Sequence, residues 1–168
     1  EMELYPTICR IAHDIIKEGF SADVIKPGIT TTDDIVWWYR DRIRDLNLIT
    51  WFHPTVDIQR ADNQDFNFLE AFSKSKPDNV VRPGDLLHVD FGITYLGLNT
   101  DTQQHAYVLK PGEERVPDEL AEALAVGNRL QDILTGQFKT GRTGNDILLS
   151  ALDQAKNEGI KPQIYTHP

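Results

Sequence analysis

The stretch GDLLHVDFGITYLGLNTDTQQHAYVL, residues 84–109, decides the fold because it contains two strand-like runs separated by a turn signal. Residues 86–93 and residues 99–109 are rich in apolar, β-branched and aromatic side chains, and Tyr95-Leu96-Gly97 lies between them. Two such runs around a short turn that contains glycine predict a β-hairpin. The hairpin places an antiparallel sheet at the centre of the expected fold.

The first run separates two kinds of side chain, because successive strand residues point to opposite faces of a sheet. One face is apolar and carries Leu87, Val89 and Phe91. The opposite face carries Leu86, His88 and Asp90. On the return run, one face carries Asn99, Asp101, Gln103 and His105. The sequence thus predicts a sheet with one apolar face and one polar face.

Two aspartates are expected to meet on the polar face. With the turn centred near Tyr95 and Leu96, Asp90 lies opposite Asp101, and the Cβ atoms of such neighbours are about 5 Å apart. Two carboxylates at that distance share a proton or neutralise a cation. A pair of divalent metal ions resolves the repulsion, and oxygen ligands suit Mn²⁺, Co²⁺ or Zn²⁺. The competing interpretation is two solvated acidic residues on an exposed sheet face.

Helical periodicity predicts helices on both sides of the hairpin. The first helix is expected over residues 3–18, and Thr31 with Asp34 resembles a capping box that begins a second helix. A third helix is expected from Pro117 onward, and a fourth begins at Thr143. Helices beside an antiparallel sheet give the α+β class.

Two further segments have extended character. Residues 50–60 predict a strand, which Pro54 confines to a sheet edge or an interrupted piece. Residues 161–168 predict an opening strand. For the tryptophans Trp37, Trp38 and Trp51, core packing is favoured over ligand stacking, although the adjacent pair cannot share one helix face.

Three motifs around the two aspartates occur together at a fixed spacing, with Asp101 eleven residues after Asp90. The motifs are Pro83-Gly84-Asp85, His88-Val89-Asp90-Phe91-Gly92 and Thr100-Asp101-Thr102. They resemble the first metal-binding signature of the pita-bread metallopeptidases, the family of methionine aminopeptidases, Xaa-Pro aminopeptidases and prolidases. Residues 27–30 and the helix after them also resemble the N-terminal half of that family. The resemblance covers essentially the whole chain, but only as part of a family domain.

The resemblance implies that the parent protein is an enzyme. The implied enzyme is a dinuclear-metal-dependent aminopeptidase that hydrolyses the N-terminal peptide bond of peptides. It lies nearer the Xaa-Pro branch, and Xaa-Pro peptides are one candidate substrate class. Asp90 is similar to the aspartate that binds one metal ion through both oxygens, and Asp101 to the aspartate that bridges two. The family completes its site with a histidine and two glutamates, for which this sequence has no matching positions.

The implied fold is a truncated pita-bread fold, with helices packed on an antiparallel sheet. Residues 1–168 are expected to form a single partial catalytic domain, made of the first half plus the helices and first strand of the second half. We expect these residues alone to bind metal weakly and to be inactive. No catalytic residue other than the metal ligands is assigned.

Two histidines are candidates for the substrate side of the site. His167 is similar to a histidine that lines the substrate pocket in the Xaa-Pro and prolidase branch, although a surface histidine is an equally good interpretation. The family carries another pocket histidine at or near Phe72, where this sequence has none. His53 is a candidate replacement, although an isolated histidine beside aromatic residues is more often structural.

The departures from the family pattern leave other functions open. Gln103 and Gln104 stand where many prolidase-branch members carry a Thr-Arg-Thr run. A non-catalytic pita-bread module that binds peptides or proteins is compatible with the missing histidine at or near Phe72. A creatinase-type amidinohydrolase does not need the metal pair, so Asp90 and Asp101 count against it. An unrelated α+β binding domain is the third alternative.

Composition limits the partners. The 168 residues contain 26 acidic and 17 basic side chains, a formal net charge of -9, which disfavours nucleic acid and membrane surfaces as partners. A peptide substrate fits better, and a homodimer is compatible with the acidic and aromatic composition. The single cysteine, Cys9, excludes an internal disulfide. Because residue 1 is Glu, upstream sequence is expected, and both a cytoplasmic location and export with removal of a leader remain open.

Overall fold

A computed structural model of the chain describes residues 3–60 and 79–164. The chain divides into two compact units, Glu1–Glu114 and Arg115–Pro168. The first unit contains helices α1 (Tyr5–Gly19) and α2 (Thr32–Asp45) and strands β1 (Thr55–Gln59), β2 (Leu86–Phe91), β3 (Thr94–Tyr95), β4 (Leu98–Asn99) and β5 (Thr102–Tyr107). The second unit contains helices α3 (Asp118–Gly136) and α4 (Gly144–Asn157). A single catalytic domain over residues 1–168 stays a prediction.

The two helices of the first unit begin where local chemistry favours a helix start. Pro6 lies in the first turn of α1, where its missing N–H costs nothing. The predicted capping box of α2 is confirmed: Thr31 Oγ1 accepts from the backbone N–H of Asp34 at 3.1 Å, and the Asp34 carboxylate accepts from Thr31 N at 2.8 Å. The bonds that Thr31 donates to the Asp34 carboxylate, first from its backbone N–H and then from its hydroxyl, lower the pKa of Asp34.

The main sheet has the strand order β1-β2-β5, and both pairings are antiparallel. Among the described strands, β1 therefore lies at an edge, as Pro54 immediately before it predicts. A separate two-stranded ladder of β3 and β4 continues the hairpin toward its turn. The hairpin predicted for residues 84–109 is confirmed.

The core of the first unit lies between the sheet and the two helices. The predicted apolar face of β2 is confirmed, since Leu87, Val89 and Phe91 are completely buried. Tyr39 of α2 packs against Phe91, and its hydroxyl donates to the Ile16 carbonyl of α1 at 3.1 Å. Burial raises the pKa of Tyr39. The apolar side of the sheet is thus covered, and the polar side is left for other roles.

The tryptophans divide between core and surface. Trp38 packs partly buried against the core, as predicted, whereas Trp37 is 58% exposed with the Arg40 guanidinium over its ring. The core position expected for Trp51 is wrong, because this side chain is 51% exposed. Its indole N–H has a hydrogen-bond acceptor at the surface of the hairpin, so the ring does not need to enter the core.

A buried ion pair closes the base of the hairpin. The Arg60 guanidinium donates to both oxygens of Asp85 at 2.7 Å and 3.0 Å, and the backbone N–H of Arg82 donates to the same carboxylate at 2.7 Å. Asp85 is almost fully buried. Charge and hydrogen bonds together compensate the carboxylate for its lost hydration.

The second unit is a pair of helices with a small core of Ile133, Leu134, Ala151 and Ala155. The predicted capping box at Thr143 is confirmed, with Asp146 as the reciprocal partner. The strand expected over residues 161–168 is not present at residues 161–164, and residues 165–168 lie outside the described part. Among the described helices, none has the length and apolar character needed to cross a bilayer.

Candidate metal-binding face of the sheet

The turn of the hairpin lies one residue later than the sequence analysis placed it. Leu96 and Gly97 both have positive φ, 49° and 80°, as the two central residues of a type I′ turn require. Thr94 consequently pairs with Asn99, and Tyr95 pairs with Leu98. Moving the centre of a hairpin by one residue moves every cross-strand pair by two residues.

The predicted pairing of Asp90 with Asp101 is therefore wrong. Asp90 lies opposite Gln103 in the ladder, and the chain at Asp101 is outside both β4 and β5. A shift of two residues keeps the same face of an extended chain. Asp101 thus takes a diagonal position relative to Asp90, with an exposed side chain, rather than the opposite position.

Two rows of polar residues cross the sheet on the face of Asp90. In one row, Thr55 of β1, Asp90 of β2 and Gln103 of β5 are neighbours. In the next row, the neighbours are Asp57, His88 and His105. The contribution of β1 was missed from sequence, although its alternation of Thr55, Asp57 and Gln59 with Val56 and Ile58 was the available signal.

Gln103 connects Asp90 to His88. The amide nitrogen of Gln103 donates to Asp90 Oδ2 at 3.4 Å, and the amide oxygen lies 3.0 Å from His88 Nε2. When the Gln103 amide donates to an ionised Asp90, its oxygen faces His88, and this contact then requires the tautomer of His88 that carries its hydrogen on Nε2. The histidine thereby orients the glutamine, and the glutamine holds one oxygen of Asp90.

His105 extends this arrangement to the edge strand. The rings of His88 and His105 have centroids 5.1 Å apart. Partial loss of hydration, and then repulsion from His88, lower the pKa of His105. The neutral form of this ring is therefore favoured beside the Asp90 row.

Of the two substrate-side candidates, only His53 lies within the described residues. His53 is exposed and precedes β1 by two residues, beyond the position of Thr55 opposite Asp90. His167 and the position of Phe72 lie outside the described residues. The roles of His53 and His167 stay predictions.

The donors on this face fit part of a metal site. Carboxylates are the ligands that hard and borderline divalent ions prefer, and Asp90 and Asp101 supply them from one hairpin. Within residues 3–60 and 79–164, no group of three or more His, Cys, Asp or Glu side chains is arranged to hold a metal ion. Donors beyond these two are needed for a complete site.

Comparison with known proteins gives a family match and several similar folds. Residues 3–167 match the family model of metallopeptidase family M24. Among solved structures, an X-Pro aminopeptidase from Thermotoga maritima MSB8 is similar over 95% of this chain, with 20% identity and a TM-score of 0.65. A prolidase from Thermococcus sibiricus matches over 91% with 16% identity and a TM-score of 0.59. A dipeptidase from Pyrococcus horikoshii OT3 matches over 90% with 19% identity and a TM-score of 0.57.

The chain spans only about two fifths of these structures: 41%, 39% and 38% of their lengths. Among curated protein sequences, none matches. The expected fold is confirmed, because helices on an antiparallel sheet and these similarities show a truncated α+β pita-bread fold.

Proposed function

Because this chain belongs to metallopeptidase family M24, we propose that its whole protein is a divalent-metal-dependent aminopeptidase acting on Xaa-Pro peptides. The observation that carries the proposal is the position of Asp90, which points away from a completely buried apolar face on a hairpin that also carries Asp101. The similar structures support the substrate class, since they include an X-Pro aminopeptidase and a prolidase.

Asp90 and Asp101 would hold the metal ions, and Mn²⁺, Co²⁺ and Zn²⁺ suit their oxygen donors. Bound divalent ions supply a Lewis acid for the scissile carbonyl and lower the pKa of a water molecule. The remaining donors would come from the family positions that have no counterpart in these 168 residues. The 168 residues alone are accordingly proposed to bind metal weakly and to lack activity.

The residues of this chain would contribute orientation and rigidity. Gln103, itself held by His88, keeps one oxygen of Asp90 in place through the 3.4 Å hydrogen bond. The buried layer of β2 behind Asp90 prevents the strand from relaxing toward the core. Ligands that are fixed before binding lose less entropy when the ion arrives.

The substrate would approach with its positively charged amino end. The formal net charge of -9 attracts such a cation over long distance and disfavours anionic competitors. His53 and His167 are proposed to lie on the substrate side of the metal ions.

Hydrolysis of an Ala-Pro dipeptide by the whole protein tests the proposal. After removal of metal with a chelator, we expect activity to return with Mn²⁺, Co²⁺ or Zn²⁺ and to be much lower on Ala-Ala. Asp90→Asn and Asp101→Asn should each lower kcat/KM by more than about 100-fold, because even residues that only orient ligands cost 10- to 100-fold. Asp41→Asn, which changes an exposed carboxylate of α2, is the control.

The alternatives give different outcomes. Peptide binding without hydrolysis under all three metals would contradict the enzyme proposal and indicate a non-catalytic binding module. Metal-independent hydrolysis of creatine would indicate the amidinohydrolase. Activity that persists in both aspartate variants would contradict the assignment of the two ligands.

A further inference from the structure

The segment of residues 49–51 is fastened along the hairpin between Asp90 and Asp101. The Ile49 carbonyl accepts from Thr94 N at 2.7 Å, and Trp51 Nε1 donates to the Thr100 carbonyl at 2.9 Å. The Thr50 hydroxyl, which has one hydrogen, lies 2.6 Å from the Gly92 carbonyl and 2.5 Å from the Phe52 carbonyl. We call this segment the clasp. It contacts the first strand just after Asp90 and the second strand just before Asp101.

Thr100 makes the Trp51 contact possible by an exchange of acceptors. The backbone N–H of Ile93 donates to Thr100 Oγ1 at 3.0 Å, and the backbone N–H of Thr100 donates to the Ile93 carbonyl at 2.8 Å. The threonine hydroxyl thus takes the acceptor position that a carbonyl has in a regular ladder. The Thr100 carbonyl is left to the indole N–H of Trp51. This exchange coincides with the interruption between β4 and β5 where Asp101 lies.

Gly92 leaves the space that this contact needs. A Cβ atom at position 92 would lie 2.4 Å from the Thr100 carbonyl oxygen and 2.9 Å from Trp51 Nε1. The Trp51 ring is further held by Phe52 in an edge-on contact, with centroids 4.7 Å apart. These contacts fix the position of the indole on the hairpin, even though half of its surface is exposed.

We propose that Trp51 is a positioning residue for Asp101. The inference rests on the proposed metal function and adds a residue outside the ligand set. Thr100 is 1% exposed, so its carbonyl needs a protein donor. Without the indole N–H, an alternative donor for the Thr100 carbonyl is the backbone N–H of Ile93, which now donates to the Thr100 hydroxyl. Reaching that donor requires the peptide between Thr100 and Asp101 to rotate, which would move the Asp101 carboxylate.

The effect on metal binding follows from this coupling. Loss of an interaction that orients a ligand lowers metal affinity by about 10- to 100-fold. Coupling between two binding events is reciprocal. If the indole bond favours metal at Asp101, metal at Asp101 must in return stabilise the indole bond and slow hydrogen exchange at Trp51 Nε1.

The first measurement is a calorimetric Zn²⁺ titration of the whole protein and three variants. We expect Trp51→Phe, which keeps a ring but removes the donor, to raise the Kd about tenfold. Trp37→Phe is the matched control, since Trp37 is also exposed and contacts Arg40 instead of the hairpin; its Kd should equal that of the wild type. Asp101→Asn should abolish tight binding.

The second measurement needs no variant and decides the outcome if Trp51→Phe fails to fold. Hydrogen exchange of the three indole N–H groups is followed by NMR with and without Zn²⁺, and only Trp51 should be slowed. A Trp51→Phe affinity within twofold of wild type, or unchanged exchange at Trp51, would overturn the positioning role while a loss in Asp101→Asn leaves the metal function standing. Equal affinities for wild type and Asp101→Asn would overturn both.

Discussion

The ion pairs Arg60–Asp85 and Arg129–Glu158 have the same N···O distance, 2.7 Å, but lie in different surroundings. The side chains of the first pair are 13% and 3% exposed, and those of the second are 48% and 34% exposed. Hydrogen bonds from Arg129, and next from Gln154, lower the pKa of Glu158 to about 2, yet water screens the ion pair. We therefore expect the two pairs to differ in their contribution to the free energy of unfolding because of burial, although their distances are equal.

The same contrast holds between the two units as a whole. Around the sheet of the first unit, residues distant in sequence fix each other, as the clasp and Asp85 illustrate. The helix pair of the second unit has four buried core residues, and its own pair distant in sequence, Arg129–Glu158, is exposed. The same type of substitution should therefore change the free energy of unfolding by different amounts in the two units.

The largest expected difference concerns the two ion pairs. Asp85→Asn should lower the free energy of unfolding by about 3–5 kcal/mol, because it leaves the Arg60 guanidinium buried with reduced compensation. Glu158→Gln should leave the denaturation midpoint unchanged within error. Urea denaturation of both variants measures the difference, and equal effects would show that burial does not govern these pairs.

Two glycines give the next comparison. Gly92→Ala should cost about 2–3 kcal/mol, because the new Cβ atom would lie 2.4 Å from the Thr100 carbonyl oxygen. Gly127→Ala should stabilise by up to about 1 kcal/mol, since this glycine lies within α3 with open space around it. Thermal unfolding followed by circular dichroism should give opposite signs. A stabilising Gly92→Ala would argue against the close approach of the Thr100 carbonyl oxygen to Gly92.

The two capping boxes should contribute similarly to stability in the two units, unlike the ion pairs and the glycines. Thr31→Ala and Thr143→Ala each remove a side-chain acceptor from a helix start, at a cost of about 1 kcal/mol. A similar loss in both variants would show that this device acts locally in either unit. If serine at each position restores stability, the hydroxyl is responsible. A cost above about 3 kcal/mol at one site would reveal an additional tertiary role.

The smallest expected effect is the change in stability with pH that comes from the exposed His105 ring. Because its folded pKa is lowered from 6.5, the unfolded chain binds the proton more readily, so this residue reduces stability as pH falls below about 6.5. His105→Gln should therefore lose less stability than wild type between about pH 7 and pH 5. His13→Gln, a change at an exposed residue of α1, is the control. A steeper pH dependence in His105→Gln would contradict the sign.

Local signals in the sequence predicted much of the fold. The capping boxes at Thr31 and Thr143 and the buried alternation around Val89 rest on neighbouring residues, so they could be identified without a partner strand. The register could not be predicted, because it depended on whether Tyr95 and Leu96 or Leu96 and Gly97 are the two central residues of the turn. Leu96 and Gly97 both adopt positive φ, which the pattern of apolar residues does not encode.

The ligand roles of Asp90 and Asp101 stay predictions, and the surroundings of these two residues were not predicted. Asp90 and Asp101 were identified from spacing and family resemblance, but their diagonal relation follows from the turn. Asp57 reaches the polar face only because β1 pairs with β2 across a long separation in sequence. Trp51 was expected in the core, and its bond to Thr100 depends on an exchange of acceptors that no periodicity reveals.

The most direct test of the central claim is Mn²⁺ binding to the whole protein, followed by loss of the free-ion EPR signal. We expect Asp90→Asn and Asp101→Asn each to weaken binding by more than about 100-fold, and the Asp41→Asn control to bind as wild type does. Equal Mn²⁺ affinity in wild type and both hairpin variants would contradict the metal site on this face.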